Sequence, residues 1–336
     1  MIFNSNKKFF IFILCFSSLI SISSNSWLGC WIGLEINLLS FIPIISNSKN
    51  LLTSEASLKY FLTQAIASIN LLFIILLKMT FIKNFFNNFY FSMLINTPLL
   101  MKMGSAPFHF WIANIMEGLN WMNCFILMSW QKIAPMILIS YYYNSMFLTI
   151  ISIMNALIGA INGINQISLR KILAFSSINN LGWMIASIMI SENLWMIYFL
   201  IYSILNTILC FMFYSINSFF INQIFFFKLN NMIKLIMFFN MMSLGGLPPF
   251  LGFFSKWMVI NYLILNNFLL MIFFLIMSSL IMLFFYLRIM YASFMFNYMK
   301  LKWFKIKIKF SYFYIFNMMY FFSLFGLPIS TFFFYI

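Results

Sequence analysis

The stretch LLMKMGSAPFHFW, residues 99–111, places a lysine, a Gly-Ser-Ala-Pro run and the chain's single histidine inside a long apolar segment. Pro107 lacks an N–H and clashes with the preceding turn, so the helix is predicted to break just after Lys102. Broken backbone at membrane depth is tolerated only where protein buries it or a water-filled cavity lines it. The charge and the break therefore ask for the same thing, a wet interior.

That such a segment lies in a membrane follows from composition. Of 336 residues, 64% are hydrophobic and 7% charged, against about 25% charged in soluble domains. A spanning helix takes about 20 apolar residues, and such runs follow one another almost end to end, without the alternation of a membrane barrel. The formal charge of +15 is scattered over loops and helix interiors. No soluble basic face is present for nucleic acid. Cys15, Cys30, Cys124 and Cys210 lie in apolar runs without metal-site spacing and read as small packing residues. The N-terminal 27 residues have the layout of a secretory signal, but further spans follow at once, so a retained first helix is expected. The weight of Phe, Ile, Asn, Lys, Tyr and Met points to an AT-rich genome such as an organelle's.

Splitting at polar clusters gives eleven spans: 9–24, 27–45, 56–77, 89–116, 121–142, 146–161, 169–190, 194–216, 235–263, 268–296 and 312–335. The loops are short and no soluble domain is inserted, so 1–336 reads as one all-α integral membrane domain. Cationic loops mark the inner side. Lys7, Lys8, Lys49, Arg170, Lys171, Lys228, Lys234 and the five lysines of 300–309 fall on the N-terminal side, twelve in all. Lys78 and Lys83 fall on the other. The N-terminus is thus expected in the cytoplasm or a mitochondrial matrix, and the C-terminus opposite. KLKWFKIKIK, 300–309, is chiefly a topology signal, with contact to anionic lipid such as cardiolipin as a second role.

Six ionisable residues sit within spans: Glu35, Lys59, Lys102, Lys132, Lys256 and Arg288. Each charge at the bilayer centre costs about 2.5–3.5 kcal/mol on insertion scales, so Glu35, Lys102, Lys132 and Lys256 together set ~10 kcal/mol against insertion. Such residues face the interior and mark ion pathways. Arg288 lies toward the basic side and can snorkel to the head groups. Lys59 follows Glu55 at i,i+4, the spacing of an ordinary ion pair, and both a relay role and a structural one stand for it. His109 could relay protons or hydrogen-bond in the packing. Trp111, Trp130 and Trp257 read as packing or interfacial anchors. A lysine stripped of hydration disfavours its charged form, while a nearby carboxylate favours it; moving Glu35 relative to a lysine would switch its proton on and off. With no Asp and one His, metal catalysis and nucleophilic triads have no candidates.

A second break appears in SLGGLPPFLGFFSKW, 243–257, where Gly245, Gly246, Pro248, Pro249 and Gly252 interrupt the ninth span and Lys256 follows. Spans four and nine are five apart. Interrupted helices at matching places in two halves are the signature of a repeated transporter, and an odd offset makes the two five-helix units inverted: about 9–142 and 146–296, with a last helix at 312–335. The match is imperfect, because Lys102 precedes its break and Lys256 follows its own.

Across SNSWLGCWIGLEINLLSFIPI, TSEASLKYFLTQAIAS, GSAPFHFW, SWQKIAP, GINQISLRKILAFSSINNLGWM and SLGGLPPFLGFFSKW, in order and correctly spaced, the chain resembles the antiporter-like membrane subunits of respiratory complex I. The resemblance covers nearly the whole length. It implies two inverted five-helix repeats, each with a broken helix, and three fewer N-terminal helices in animal members than in bacterial ones. It implies that Glu35 pairs with Lys102 and that protons pass from Lys102 to Lys132 and on to Lys256, coupled to NADH-to-ubiquinone electron transfer. It also implies a mitochondrial inner-membrane site, other membrane-arm subunits as partners (neighbouring antiporter-like chains among them), and no cofactor in this chain. NADH, FMN, iron–sulfur clusters and ubiquinone would sit elsewhere in the complex. Many members have histidine where this chain has Asn180, which cannot carry a proton. A stand-alone cation/proton antiporter and a non-pumping scaffold are the competing readings.

Overall fold

The computed structural model describes residues 5–47, 49–80, 88–226 and 231–295, with residues 321 and 328. The span expected at 312–335, apart from residues 321 and 328, and the lysines of 300–309, with Lys83 and Lys228, lie outside the described residues. The described chain is helical throughout, with one isolated bridge between Ser168 and Phe220. It divides into two compact units, residues 1–151 and 152–336.

The first unit holds α1 (Ser5–Ser23), α2 (Trp27–Ile45), α3 (Leu51–Thr80), α4 (Asn88–Met103), α5 (Phe110–Gly118), α6 (Trp121–Met128), α7 (Trp130–Tyr141) and the start of α8 (Ser145–Gly163). Ser26 caps α2 by accepting from the Gly29 N–H, satisfying one of the orphan donors of a helix start. Buried serines such as Ser17, Ser21 and Ser40 donate to backbone carbonyls three residues back, so these hydroxyls need no outside partner. α3 packs against α2, α4 and α5, and α7 against α1, α4 and α6.

The second unit holds the rest of α8, then α9 (Leu169–Ile188), α10 (Glu192–Ile216), α11 (Ile221–Phe226), α12 (Asn231–Gly245), α13 (Leu251–Leu265) and α14 (Leu269–Met295). α9 packs on α10, α13 and α14, and α10 also on α12 and α13. α9 is the polar one, carrying Ser176, Ser177, Asn179 and Asn180, and it is buried over nearly its whole length. That is where polar side chains must go when the outer faces meet lipid.

Among the described residues, seven helical stretches are long and apolar enough to cross a membrane, with α6 and α7 together counted as one, Trp121–Tyr141. The spans at 89–116 and 235–263 are pairs of half-helices that part at the expected breaks, whereas the span expected unbroken at 121–142 divides at Ser129, whose hydroxyl donates to the Phe125 carbonyl. α3 runs several residues beyond the expected 56–77, and α11 is a short helix within an expected loop. Lys234, assigned to a loop, lies in the first turns of α12 with 1% exposure.

Candidate functional site

In the first unit α4 ends on a glycine. Gly104 has φ +67, a left-handed conformation open to glycine without strain. Its N–H donates to Met101 O and the Ser105 N–H to Leu100 O, both at 3.1 Å. These two bonds form a Schellman closure of the helix end. Side chains meet further carbonyls: Gln64 Nε2 on α3 donates to Lys102 O, and Trp111 Nε1 on α5 to Met101 O, each at 3.1 Å. The torn backbone is thus satisfied within the protein, as membrane depth demands.

Lys102 occupies the last turn of α4 and is 6% exposed. Its Nζ and Glu35 Oε1 are enclosed, and neither has a hydrogen-bond partner. Glu35 nonetheless acts electrostatically on Lys102 and on buried Tyr60. That influence is exerted without a hydrogen bond from Lys102 Nζ to Glu35. Lys132, 1% exposed, lies on α7, which packs against α4. Its neighbour Gln131 donates to Asn37 Oδ1 at 2.9 Å, tying α7 to the helix that carries Glu35.

In the second unit α12 ends the same way. Gly246 has φ +84; its N–H donates to Met242 O and Ser243 O at 3.0 and 3.1 Å, and the Leu247 N–H to Met242 O at 3.2 Å. Here the lysine itself meets the loose carbonyls. Lys256, on α13, donates from Nζ to Gly245 O at 2.8 Å and Leu244 O at 3.4 Å, 5.9 Å from the centre of the Trp183 ring. The mismatch in sequence order disappears in space. One lysine sits on the last turn of its half-helix and the other reaches back to that turn, so both place a cation at the negative end of a helix dipole.

This closeness makes Gly246 sensitive. An added Cβ would meet Lys256 Cδ at 2.8 Å and Nζ at 2.9 Å, on a backbone of positive φ. Gly246→Ala is expected to cost about 1–2 kcal/mol in the left-handed backbone alone and to push the ammonium off its carbonyls. Reduced thermal stability is the check; an unchanged stability would contradict the geometry.

The remaining candidates separate. Lys59 forms the expected ion pair with Glu55 on an exposed face. His109 Nδ1 lies 3.1 Å from Pro107 O and its ring meets Phe110 at 4.1 Å, within the break. Arg288 is exposed and donates to the Ile164 carbonyl. Trp111 hydrogen-bonds inside the first break, while Trp257 is half-exposed. The four cysteines are free thiols, all but Cys15 buried. Sequence reasoning missed Gln64 and Tyr60. Their signal was an amide one turn beyond a tyrosine on one face of α3.

Residues 24–282 match the sequence profile of a family described as NADH:quinone oxidoreductase/Mrp antiporter, TM. The chain is 55% identical over 193 residues to NADH-ubiquinone oxidoreductase chain 2 of Anopheles gambiae and 48% identical over 192 residues to that of Locusta migratoria. Each match covers 56% of this chain and 56% of the relative, so the chain spans just over half the length of the curated relatives it matches. The fold is similar to a chain of respiratory complex I from Thermus thermophilus, with TM-score 0.82, 18% identity and coverage of 97% of this chain and 79% of that one. It is also similar to a chain of the Mrp complex from Dietzia sp., with TM-score 0.72, 17% identity and coverage of 83% and 59%. The chain belongs to the NADH:quinone oxidoreductase/Mrp antiporter transmembrane family.

Proposed function

We propose that the chain is a membrane-arm subunit of NADH:ubiquinone oxidoreductase in the mitochondrial inner membrane, with its N-terminus in the matrix. It moves protons by way of Glu35, Lys102 and Lys132 in the first unit and Lys256 in the second. The redox chemistry belongs to other subunits, with which neighbouring antiporter-like chains also assemble. The carrying observation is that each broken helix has a buried lysine at its end, Lys102 in the last turn of α4 and Lys256 donating to the last carbonyls of α12. The helix end favours the charged form and burial disfavours it. Such opposed influences leave a proton poised, and a small displacement of Glu35 tips the balance.

Two alternatives are weaker on particular observations. A scaffold that used its charges to lock helices would bond them to each other, whereas Lys102 Nζ and Glu35 Oε1 have no hydrogen-bond partner. A stand-alone antiporter fits the family, but the chain is 55% identical to a relative named as an oxidoreductase chain and 17% identical to the Mrp chain. The test is Glu35→Gln in the assembled complex. Redox-coupled proton transport is expected to fall about a hundredfold or more, the scale of a lost acid–base group. NADH oxidation by an artificial acceptor should be unchanged. Normal coupled transport in that variant would overturn the switch assigned to Glu35.

A further inference from the structure

The second unit contains a buried hydroxyl network that the relay above does not use. Tyr198, Tyr202 and Asn206 recur every four residues on α10 and so share one face; all three are at most 3% exposed. Ser177 and Asn180, three apart on α9, are likewise buried. Tyr202 lies beside Ser177 and Asn206, with the Ser177 hydroxyl donating to the Ala174 carbonyl at 2.8 Å, and Tyr198 Oη donates to Asn180 Oδ1 at 3.1 Å. Tyr198, Tyr202 and Asn180 also line a cavity of about 10 Å3 with Ser243, Ser255 and Lys256. That volume suits about one water molecule, and the lining supplies the polar partners a buried water needs.

The network has a direction. Asn206 lies toward the C-terminal end of α10 and Ser177 toward the N-terminal end of α9. Those two ends are joined by the Ser168–Phe220 bridge and by the Leu169 N–H to Phe219 O bond at 2.9 Å. Arg170 and Lys171 lie at the same end, the side that collects the loop cations.

We propose that Tyr202 delivers protons to Lys256 from the basic side of the membrane, with Ser177 before it and one cavity water after it. The inference rests on the proton-translocation reading. Each hydroxyl accepts a proton on a lone pair while releasing its own to the next group, so no tyrosine ionises. Lys256 Nζ gains one N–H, and the outermost hydroxyl regains its proton from water on the basic side. Asn180 holds the Tyr198 hydroxyl but cannot pass a proton, which makes Tyr198 a positioning residue and Tyr202 the carrier.

The experiment compares Tyr202→Phe and Lys256→Gln in the assembled complex reconstituted into vesicles, reading complex amount, the proton-to-electron ratio and the solvent deuterium isotope effect. Tyr202→Phe is expected to leave the amount of complex unchanged, lower coupled proton transport about a hundredfold and raise the isotope effect. Wild-type transport in Tyr202→Phe beside lost transport in Lys256→Gln would overturn Tyr202 as carrier and leave the relay standing. Normal transport in Lys256→Gln would overturn the relay itself. Should Tyr202→Phe fail to assemble, Ser177→Ala removes the preceding hydroxyl with little change of volume. Reduced transport there supports the route, and wild-type transport overturns it.

Discussion

Lys102→Met is expected to leave the complex assembled and to abolish its coupled proton transport. Methionine nearly fills the volume of the lysine stem, and volume-conserving exchanges usually cost less than about 1.5 kcal/mol. Lys102 Nζ has no hydrogen bond to lose, and a buried ammonium no longer has to be desolvated. What remains is Glu35, whose charge would lose the cation in its reach. Stranding a buried charge costs about 3–5 kcal/mol, an upper bound for a residue that is only partly buried. The double variant Lys102→Met/Glu35→Gln removes that charge too and separates the readings. If the pair were a structural lock, the double variant would recover both assembly and transport. If it is a relay, both the single and the double variant assemble and neither transports protons.

The second large effect is at Lys256. Here the ammonium donates to Gly245 O and Leu244 O at the end of α12, and each hydrogen bond to a charged group contributes about 1.5–3 kcal/mol. Lys256→Met should therefore lower thermal stability as well as transport, in contrast to Lys102→Met. Lys256→Gln retains an N–H donor for a carbonyl but carries no exchangeable charge. It is expected to recover part of the stability lost in Lys256→Met and none of the proton transport. Equal thermal stability in the Met and Gln variants would contradict the capping role, and transport in the Gln variant would contradict the proton role.

How much of this could be read from the chain depends on what the physics leaves visible one residue at a time. The breaks at Gly104 and Gly246 were legible, because glycine and proline in an apolar run have few other uses. So were the midplane charges, whose insertion cost makes them conspicuous. Their geometry was not. That Lys256 reaches back eleven residues to the Gly245 carbonyl depends on how α12 and α13 meet across the break, and this made the lysines look misaligned when only their order was known. Gln64 and Trp111 were hidden for a similar reason: an amide and an indole reveal themselves as caps only when the helix end they serve is in place. Ser129 divides an apolar run that contains no glycine at the break, so hydropathy carried no trace of it. Lys234 counted as a loop charge because it follows polar residues, yet it is buried.

Lipid accepts neither a bare ion nor an open helix end, and the account stands on both being sheltered in one polar interior. A high-resolution density map of the intact membrane arm tests this most directly. Ordered water within hydrogen-bonding distance of Lys102 Nζ, and in the cavity beside Lys256, is the predicted result. A dry apolar enclosure around Lys102 Nζ, or acyl chains packed against either ammonium, would contradict it.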